Sequence, residues 1–487
     1  MKRVFALFLI LVMTAALVGC GEEKTASESG YNYRLDHDTF SVGYSRIDIT
    51  PEQAVPMAGY GNPTQRLSQN IQDYLYATSI AVNDGQGNTV VFLSLDLQRA
   101  SDFIVQALRP KLAQATGLPE NAFQITGTHT HSAPDVQVSH DAASAYNRTL
   151  IPKLEQVVME SLEDLTPATM SLGSVEAEGL NFVRHYGHKN ADGTISWFGD
   201  NFGTIVLDEN TIHASVADPT MYVVKFDRTD AQDVCMVNWR AHPHWTGGSS
   251  LYNISSDLIG PLRESFELQT GMLFGYYQGA AGNINEKSRI TKEMLVSDYY
   301  EHGARLADYA VKCLNENMET ISTGPIVIRE QTLEMKTNKT HDQAMINAAK
   351  VYRTVFSSSN DRSIANEAAM QMGYSFNSQY AASAVLTNSQ REDTETRTYT
   401  VITMGKDFAI SLAPHEMFDR TMSKVEEASP FKYTLHFSYS NGSNTYMPDL
   451  MTWDTGSYEV DTSVFVRGSA ELVEQNFIDM LEQMYNQ

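Results

Sequence analysis

The sequence predicts an α/β fold, a strand-rich mixed sheet covered by helices, and three observations predict it. Runs of β-branched and aromatic residues recur along the chain and alternate with stretches of helical periodicity. A 42% apolar content over 487 residues is enough for a full buried core. From about residue 40 to residue 487 no Pro/Gly/Ser-rich linker interrupts the alternation, so one domain is expected rather than several.

Strands are expected at 79–82, 89–96, 123–128, 221–226, 234–239, 272–277, 326–335, 397–404 and 408–412, all rich in β-branched or aromatic residues. Helices are expected at 101–116, 143–164, 257–269, 294–316 and 470–485. Between about 340 and 385 the chain turns Ala/Met-rich, as in Gln343-Ala344-Met345-Ile346-Asn347-Ala348-Ala349. This stretch reads as a helical insertion, either packed on the body or covering a substrate.

The chain starts with Lys2-Arg3 and an apolar run from Val4 to Val18, too short for a comfortable membrane span, which suits an export signal. Leu17-Val18-Gly19-Cys20 resembles the bacterial lipobox, whose cysteine takes a lipid after cleavage. The expected division is a lipoprotein signal peptide over 1–19, then a lipidated Cys20 and flexible tether over 20–39. That would place the protein in the bacterial cell envelope, held to the membrane and facing outside the cytoplasm. Cys235 and Cys313 then remain, in strand-like and helix-like runs, and are expected as buried free thiols. With 35 Lys+Arg against 59 Asp+Glu, net charge −24, no basic stripe is available for nucleic acid.

No GxSxG, GxxxxGK[ST] or HExxH motif occurs. Two H-x-H pairs do, His129-Thr130-His131 and His242-Pro243-His244, each directly after an expected strand. Residues i and i+2 of an extended chain leave the same face, so each pair can converge on one ion or substrate. Neutral imidazoles suit zinc, and a catalytic zinc needs three protein ligands and an open position. A metallo-β-lactamase-type H-x-H-x-D-H is absent, because Asp135 is four residues after His131 with no His following it.

The first pair lies in Ile125-Thr126-Gly127-Thr128-His129-Thr130-His131-Ser132-Ala133-Pro134-Asp135, which resembles the T-H-T-H-S-x-P signature of the neutral/alkaline, non-lysosomal ceramidase family of zinc amidases. Val42-Gly43-Tyr44-Ser45-Arg46-Ile47-Asp48-Ile49-Thr50-Pro51, Met57-Ala58-Gly59-Tyr60 and Leu93-Ser94-Leu95-Asp96 resemble its opening. Asn238-Trp239-Arg240-Ala241-His242-Pro243, Ile254-Ser255-Ser256-Asp257, Ala413-Pro414-His415-Glu416 and Asn444-Thr445-Tyr446 resemble later segments, so the likeness runs over roughly 40–465.

The resemblance implies one zinc held by His129, His242, Glu416 and Tyr446, with Tyr458 as the competing tyrosine. His131 is expected as the second imidazole of the site, in an oxyanion or acid/base role, and Asp96 and Asp257 are expected either to orient imidazoles or simply to cap neighbouring elements. Arg184 and His244 are expected to touch substrate, although His244 has no counterpart in the family pattern. The likeness breaks at Gly282-Asn283-Ile284-Asn285-Glu286, where the family's G-D-x-S-P-N carries a serine at the reaction centre. Asn285 cannot replace a hydroxyl nucleophile. Zinc-activated water would then attack an amide or ester bond, with Glu286 or His131 moving protons. The alternative is a decayed fold kept as a solute-binding or scaffold lipoprotein. The stretch after Val464 has room for a helix but not for the family's C-terminal immunoglobulin-like domain. Both departures weaken ceramide in particular, and with it a place in sphingolipid metabolism, and leave a small-molecule, lipid or glycan amide or ester as the expected substrate.

Overall fold

The computed structural model describes residues 31, 33–61, 63–198, 207–288, 290, 296–442 and 445–487. The expected signal segment, Cys20, the tether up to residue 30, and Asn444 lie outside the described residues. Packing starts earlier than the expected residue 40: Tyr31, Tyr33 and Leu35 lie against the core, and the Tyr33 hydroxyl donates to Ala115 O at 2.8 Å.

Period-two patterning sorts the strands into two sheets rather than one. The larger, nine-stranded, is built on β1 (Ser41–Asp48), β2 (Tyr76–Asn83), β3 (Thr89–Leu95), β4 (Phe123–Gly127), β5 (Thr166–Glu176), β6 (Thr220–Arg228), β7 (Val234–Trp239) and β8 (Leu273–Gln278), in the order β8-β7-β6-β5-β1-β2-β3-β4, with short Glu319–Thr320 beside β5. The β3–β4 and β7–β8 pairs are parallel and the rest antiparallel. The smaller sheet has the order β9 (Ile326–Lys336), β10 (Thr394–Met404), β11 (Phe408–Leu412), β12 (Tyr433–Phe437).

Val42, Ile80, Val82, Val90, Phe92, Val224 and Met236 on one face of the large sheet meet Ile402, Met404, Ile410, Leu412 and Leu435 of the small one in a shared buried cluster. Their sequence neighbours Ala81, Val91 and Leu93 point the other way onto α1 (Asp102–Thr116) and α2 (Asp141–Glu163), as Val223, Cys235 and Val237 do onto α3 (Ile259–Thr270) and α4 (Tyr299–Glu316). Tyr399, Val401 and Ala409 face the helices Asp419–Ala428 and Ser469–Tyr485. Four layers result: helices, sheet, sheet, helices. The expected mixed-sheet core covered by helices is found, and its division in two went unread because both inner faces are apolar and no linker separates them.

The insertion is helical as expected, α5 (Gln343–Ser359), α6 (Arg362–Met370) and α7 (Gln379–Asn388), with an apolar cluster of its own around Ala348, Tyr352, Ala369 and Phe376. Asn388 Nδ2 ties it to the body by donating to Ser463 O at 3.0 Å. Cys235 and Cys313 are buried and free, as expected.

Arg240, just past β7, spans to the helix Asp419–Ala428: it meets Asp218 at 3.2 Å, Asp419 at 3.1 Å and Glu426 at 2.8 Å. One guanidinium cannot neutralise three carboxylates. Burial, with the neighbouring acids, raises Asp419 to about 6 and Glu426 to about 7 against the pull of Arg240. The folded chain therefore binds more protons than the unfolded chain between about pH 4 and 7, so the stability these acids contribute is greatest below the unfolded carboxyl range and is lost as pH rises through 7. A Glu426→Gln variant is expected to lose less stability than the parent between pH 5 and 8, measured by denaturant unfolding; an equal or steeper loss refutes the assignment.

Candidate active site

β4 and β7 lie toward opposite edges of the large sheet, yet the H-x-H pairs that follow them meet. His129 has a left-handed backbone, φ 70°, set by donation from its N–H to Leu97 O at 3.0 Å. Its Nδ1 donates to Gln98 O at 2.8 Å, and Tyr439 stacks on its ring at 3.9 Å between centroids. His242 Nδ1 donates to Ile284 O at 3.1 Å. With Nδ1–H occupied by a carbonyl, each ring presents the Nε2 lone pair inward. The two loops are joined by the His131 N–H, which donates to Pro243 O at 3.3 Å.

Nε2 of His131 lies 3.2 Å from Nε2 of His129, and Glu416 Oε2 lies 3.4 Å from His129 Nε2 and 3.2 Å from His242 Nε2. Nε2 of His242, though this close, is not aligned for a hydrogen bond and has no other partner. Ligand atoms on a tetrahedral cation with bonds of about 2.0–2.1 Å lie about 3.3 Å apart, so these spacings fit one metal ion. The buried trio His129, His131 and His242 has ligand atoms within 4.8 Å of one another. Burial, with neighbouring imidazoles and Arg184, holds His131 well below the ordinary range, and burial likewise brings His242 down to about 3. Both rings are thus neutral, as ligation requires. Burial alone would raise the Glu416 carboxyl, yet His129 and His242 hold it far below its usual range.

Tyr446 pairs in register with Glu416 through the short strands Glu416–Met417 and Tyr446–Met447. Its phenol is pushed well up, by burial first and then by Glu416, so a cation would have to lower it for ligation. Tyr458 stands behind it, ring centroids 5.7 Å apart.

A pocket of about 640 Å³ opens over the cluster, with His131, Arg184, His244, Asn285, Tyr446 and Tyr458 in its wall. Arg184 is buried and bound to Glu459, Nε to Oε1 at 2.6 Å, and lies 5.5 Å from the Tyr446 ring. Asn285 bridges His242 in a strand-like pair, and its buried Oδ1 has no partner. Glu286 is not in the wall: it lies behind His244, 2.7 Å from Nδ1, and also 3.3 Å from Lys287 Nζ. Burial opposes its charge, but His244 and Lys287 hold it down to about 2. Its path to the pocket runs through His244, not directly.

For Asp96 and Asp257 the contacts favour the capping alternative over the imidazole-orienting one. Asp96 orients no imidazole; it takes Arg263 Nη2 at 2.9 and 2.7 Å and the Tyr76 N–H at 2.9 Å, fastening α3 to the sheet. Asp257 takes the Thr246 N–H at 2.8 Å and hydroxyl at 2.7 Å, holding the loop after the second pair. The orienting partners are instead the carbonyls of Gln98 and Ile284, which no residue-type pattern can flag. Glu459, Tyr380 and Lys287 were not assigned: Glu459 directly follows Tyr458 and Lys287 follows Glu286, but a single charged residue beside a candidate carries no signal of its own, and Tyr60 lay in the Met57-Ala58-Gly59-Tyr60 segment without a role.

Removing Arg184 would leave the buried Glu459 carboxylate with His185, at 3.0 Å, in place of its full cationic partner. Arg184→Met is expected to cost about 3–5 kcal/mol in denaturant unfolding, and adding Glu459→Gln to recover part of it; no recovery would refute the pairing.

Residues 40–271 match the family model for the neutral/alkaline non-lysosomal ceramidase N-terminal domain, a span that contains both H-x-H pairs and ends before Glu416 and Tyr446. Neutral ceramidase 2 of Arabidopsis thaliana is 28% identical over 277 residues, 56% of this chain and 35% of that protein. The Drosophila melanogaster neutral ceramidase is 28% identical over 127 residues, 26% of this chain and 18% of that protein. These matches span about a third or less of the relatives' own lengths. The neutral ceramidase of Pseudomonas aeruginosa superposes with a TM-score of 0.66 at 15% identity, covering 93% of this chain and 75% of that one, which shows a common fold. Over residues 40–271 the chain is thus similar to the neutral/alkaline non-lysosomal ceramidase N-terminal domain, and over 93% of its length it shares the fold of a neutral ceramidase.

Proposed function

We propose that the chain is a zinc-dependent hydrolase of an amide, or secondarily an ester, bond. The observation that carries this is the cluster of three buried imidazoles and a carboxylate, with donor atoms close enough to share one ion, beneath a pocket. The name ceramidase, borne by its relatives, denotes cleavage of an amide. His129, His242 and Glu416 would hold the ion, with Tyr446 beside them. When bound there, zinc supplies Lewis acidity toward water and the scissile carbonyl.

The chain's own residues do the rest. Gln98 and Ile284 carbonyls fix both ligand rings. His131, at the pocket face with an unpartnered Nδ1, is placed to hold a developing oxyanion or pass a proton. His244, backed by Glu286, is the second imidazole facing substrate. Asn285 stands where the family has serine and offers only an amide, so it binds rather than attacks. A lipid anchor on Cys20 and a place outside the cytoplasm belong to the same proposal and are supported by the lipobox-like sequence; among the described residues no helix is long and apolar enough to cross a membrane.

Metal analysis by plasma mass spectrometry is expected to find about one zinc per chain, lost in His129→Ala and in Glu416→Ala together with hydrolysis of amide and ester substrates, ceramide included. No metal after zinc is supplied defeats the proposal, and bound zinc without turnover on any such substrate favours a binding lipoprotein. His131→Ala is expected to keep zinc while kcat falls about 10²–10⁴-fold; loss of zinc in this variant would make His131 a ligand instead.

A further inference from the structure

The pocket over the metal cluster has an unusual wall. Small-molecule pockets are ordinarily lined mostly by apolar side chains, yet among the described residues this one presents no Leu, Ile, Val, Met or Phe. Four tyrosines and Pro63 supply its large apolar groups. Tyr446 and Tyr458 meet at 5.7 Å and 73°, and Tyr458 and Tyr380 at 5.5 Å and 84°, an edge-to-face run along one side. Tyr60 also stands in the wall, fixed by its hydroxyl on His244 O at 3.0 Å and by Arg66 at 4.9 Å from its ring.

Between these rings the wall carries hydrogen-bonding groups. Asn285 is 8% exposed and its Oδ1 has no partner, so it calls for a donor from whatever fills the pocket. Arg99, Asp135 and Lys287 stand in the same wall. Tyr380 is brought there by α7 of the insertion, which gives that three-helix unit a role in the pocket beyond packing.

Resting on the hydrolase reading, we propose that the substrate carries its amide on a polyhydroxylated, sugar-like body, an N-acylated amino sugar in a glycan, rather than between two long alkyl chains. Tyrosine faces stack on the C–H faces of a pyranose ring, while Asn285 and the charged side chains bond its hydroxyls. Alkyl chains laid on this wall would meet, among the described residues, Pro63 as the one aliphatic side chain without a charge, and would leave the Asn285 acceptor unsatisfied. Tyr380 is the specificity-determining residue.

The test compares kcat/KM of the zinc-loaded full chain on an N-acetylated chito-oligosaccharide, an N-acetyl dipeptide and a long-chain ceramide in mixed micelles, beside calorimetric titration of the oligosaccharide. The oligosaccharide is expected to be preferred by about tenfold or more, and Tyr380→Ala to raise its KM by about tenfold with zinc retained and a smaller change in kcat. Preference for ceramide or for the dipeptide, or a Tyr380→Ala variant that binds the oligosaccharide as the parent does, overturns the proposal. If no amide is cleaved, the hydrolase reading fails separately, and the titration still decides: saturable binding weakened in Tyr380→Ala upholds the sugar pocket, and no binding ends it.

Discussion

The carboxylate of Glu416 is the point on which the two sheets agree. It leaves the end of β11 in the small sheet and places Oε2 between His129 and His242 at the ends of two strands of the large one. Burying a carboxylate is costly unless charge and hydrogen bonds compensate it, so the sheets must close in one register for this residue to be tolerated. The seam around it is hydrogen-bonded accordingly: Gly282 N–H to Met417 O at 2.8 Å, Ser438 N–H to Gln278 O at 2.9 Å, and Ile125 N–H to the Asn441 side chain at 2.9 Å. Gly282 tolerates no side chain here, since a Cβ would lie 2.4 Å from Glu416 O.

Two buried guanidiniums keep that seam in frame. Arg240, two residues before His242, binds the helix that follows Glu416, and Arg184 binds Glu459 beside the aromatic wall. Each joins segments far apart in sequence, so the ligand loops and the pocket wall are positioned by charges rather than by loop stiffness. The large interior face between the sheets supplies adhesion, and these pairs supply alignment.

What could be read in advance follows from the range of each signal. The strands before both H-x-H pairs were legible because β-branched runs and period-two spacing are local, whereas the meeting of His129 with His242 came by resemblance. Glu416 and Tyr446 came only by resemblance, and the structure does bring Glu416 to the imidazoles. Asp96 and Asp257 stayed between two roles because proximity in sequence to a motif is not proximity of side chain to ring: both spend their lone pairs on fastening neighbouring elements. The Gln98 and Ile284 carbonyls were illegible in principle, since a backbone oxygen has no letter. Tyr380 was hidden differently, by lying in an insertion whose composition speaks only of helix packing.

The left-handed backbone at His129 bears on which ions the site accepts. A non-glycine residue pays conformational energy there, and it is kept in place by Leu97, Gln98 and the Tyr439 ring. A ligand held this firmly cannot back away to admit a larger coordination sphere. In the proposed metal-binding role the cluster would discriminate by rigidity: it would favour cations content with four nitrogen and oxygen donors and disfavour calcium or magnesium, which ask for six or more oxygens.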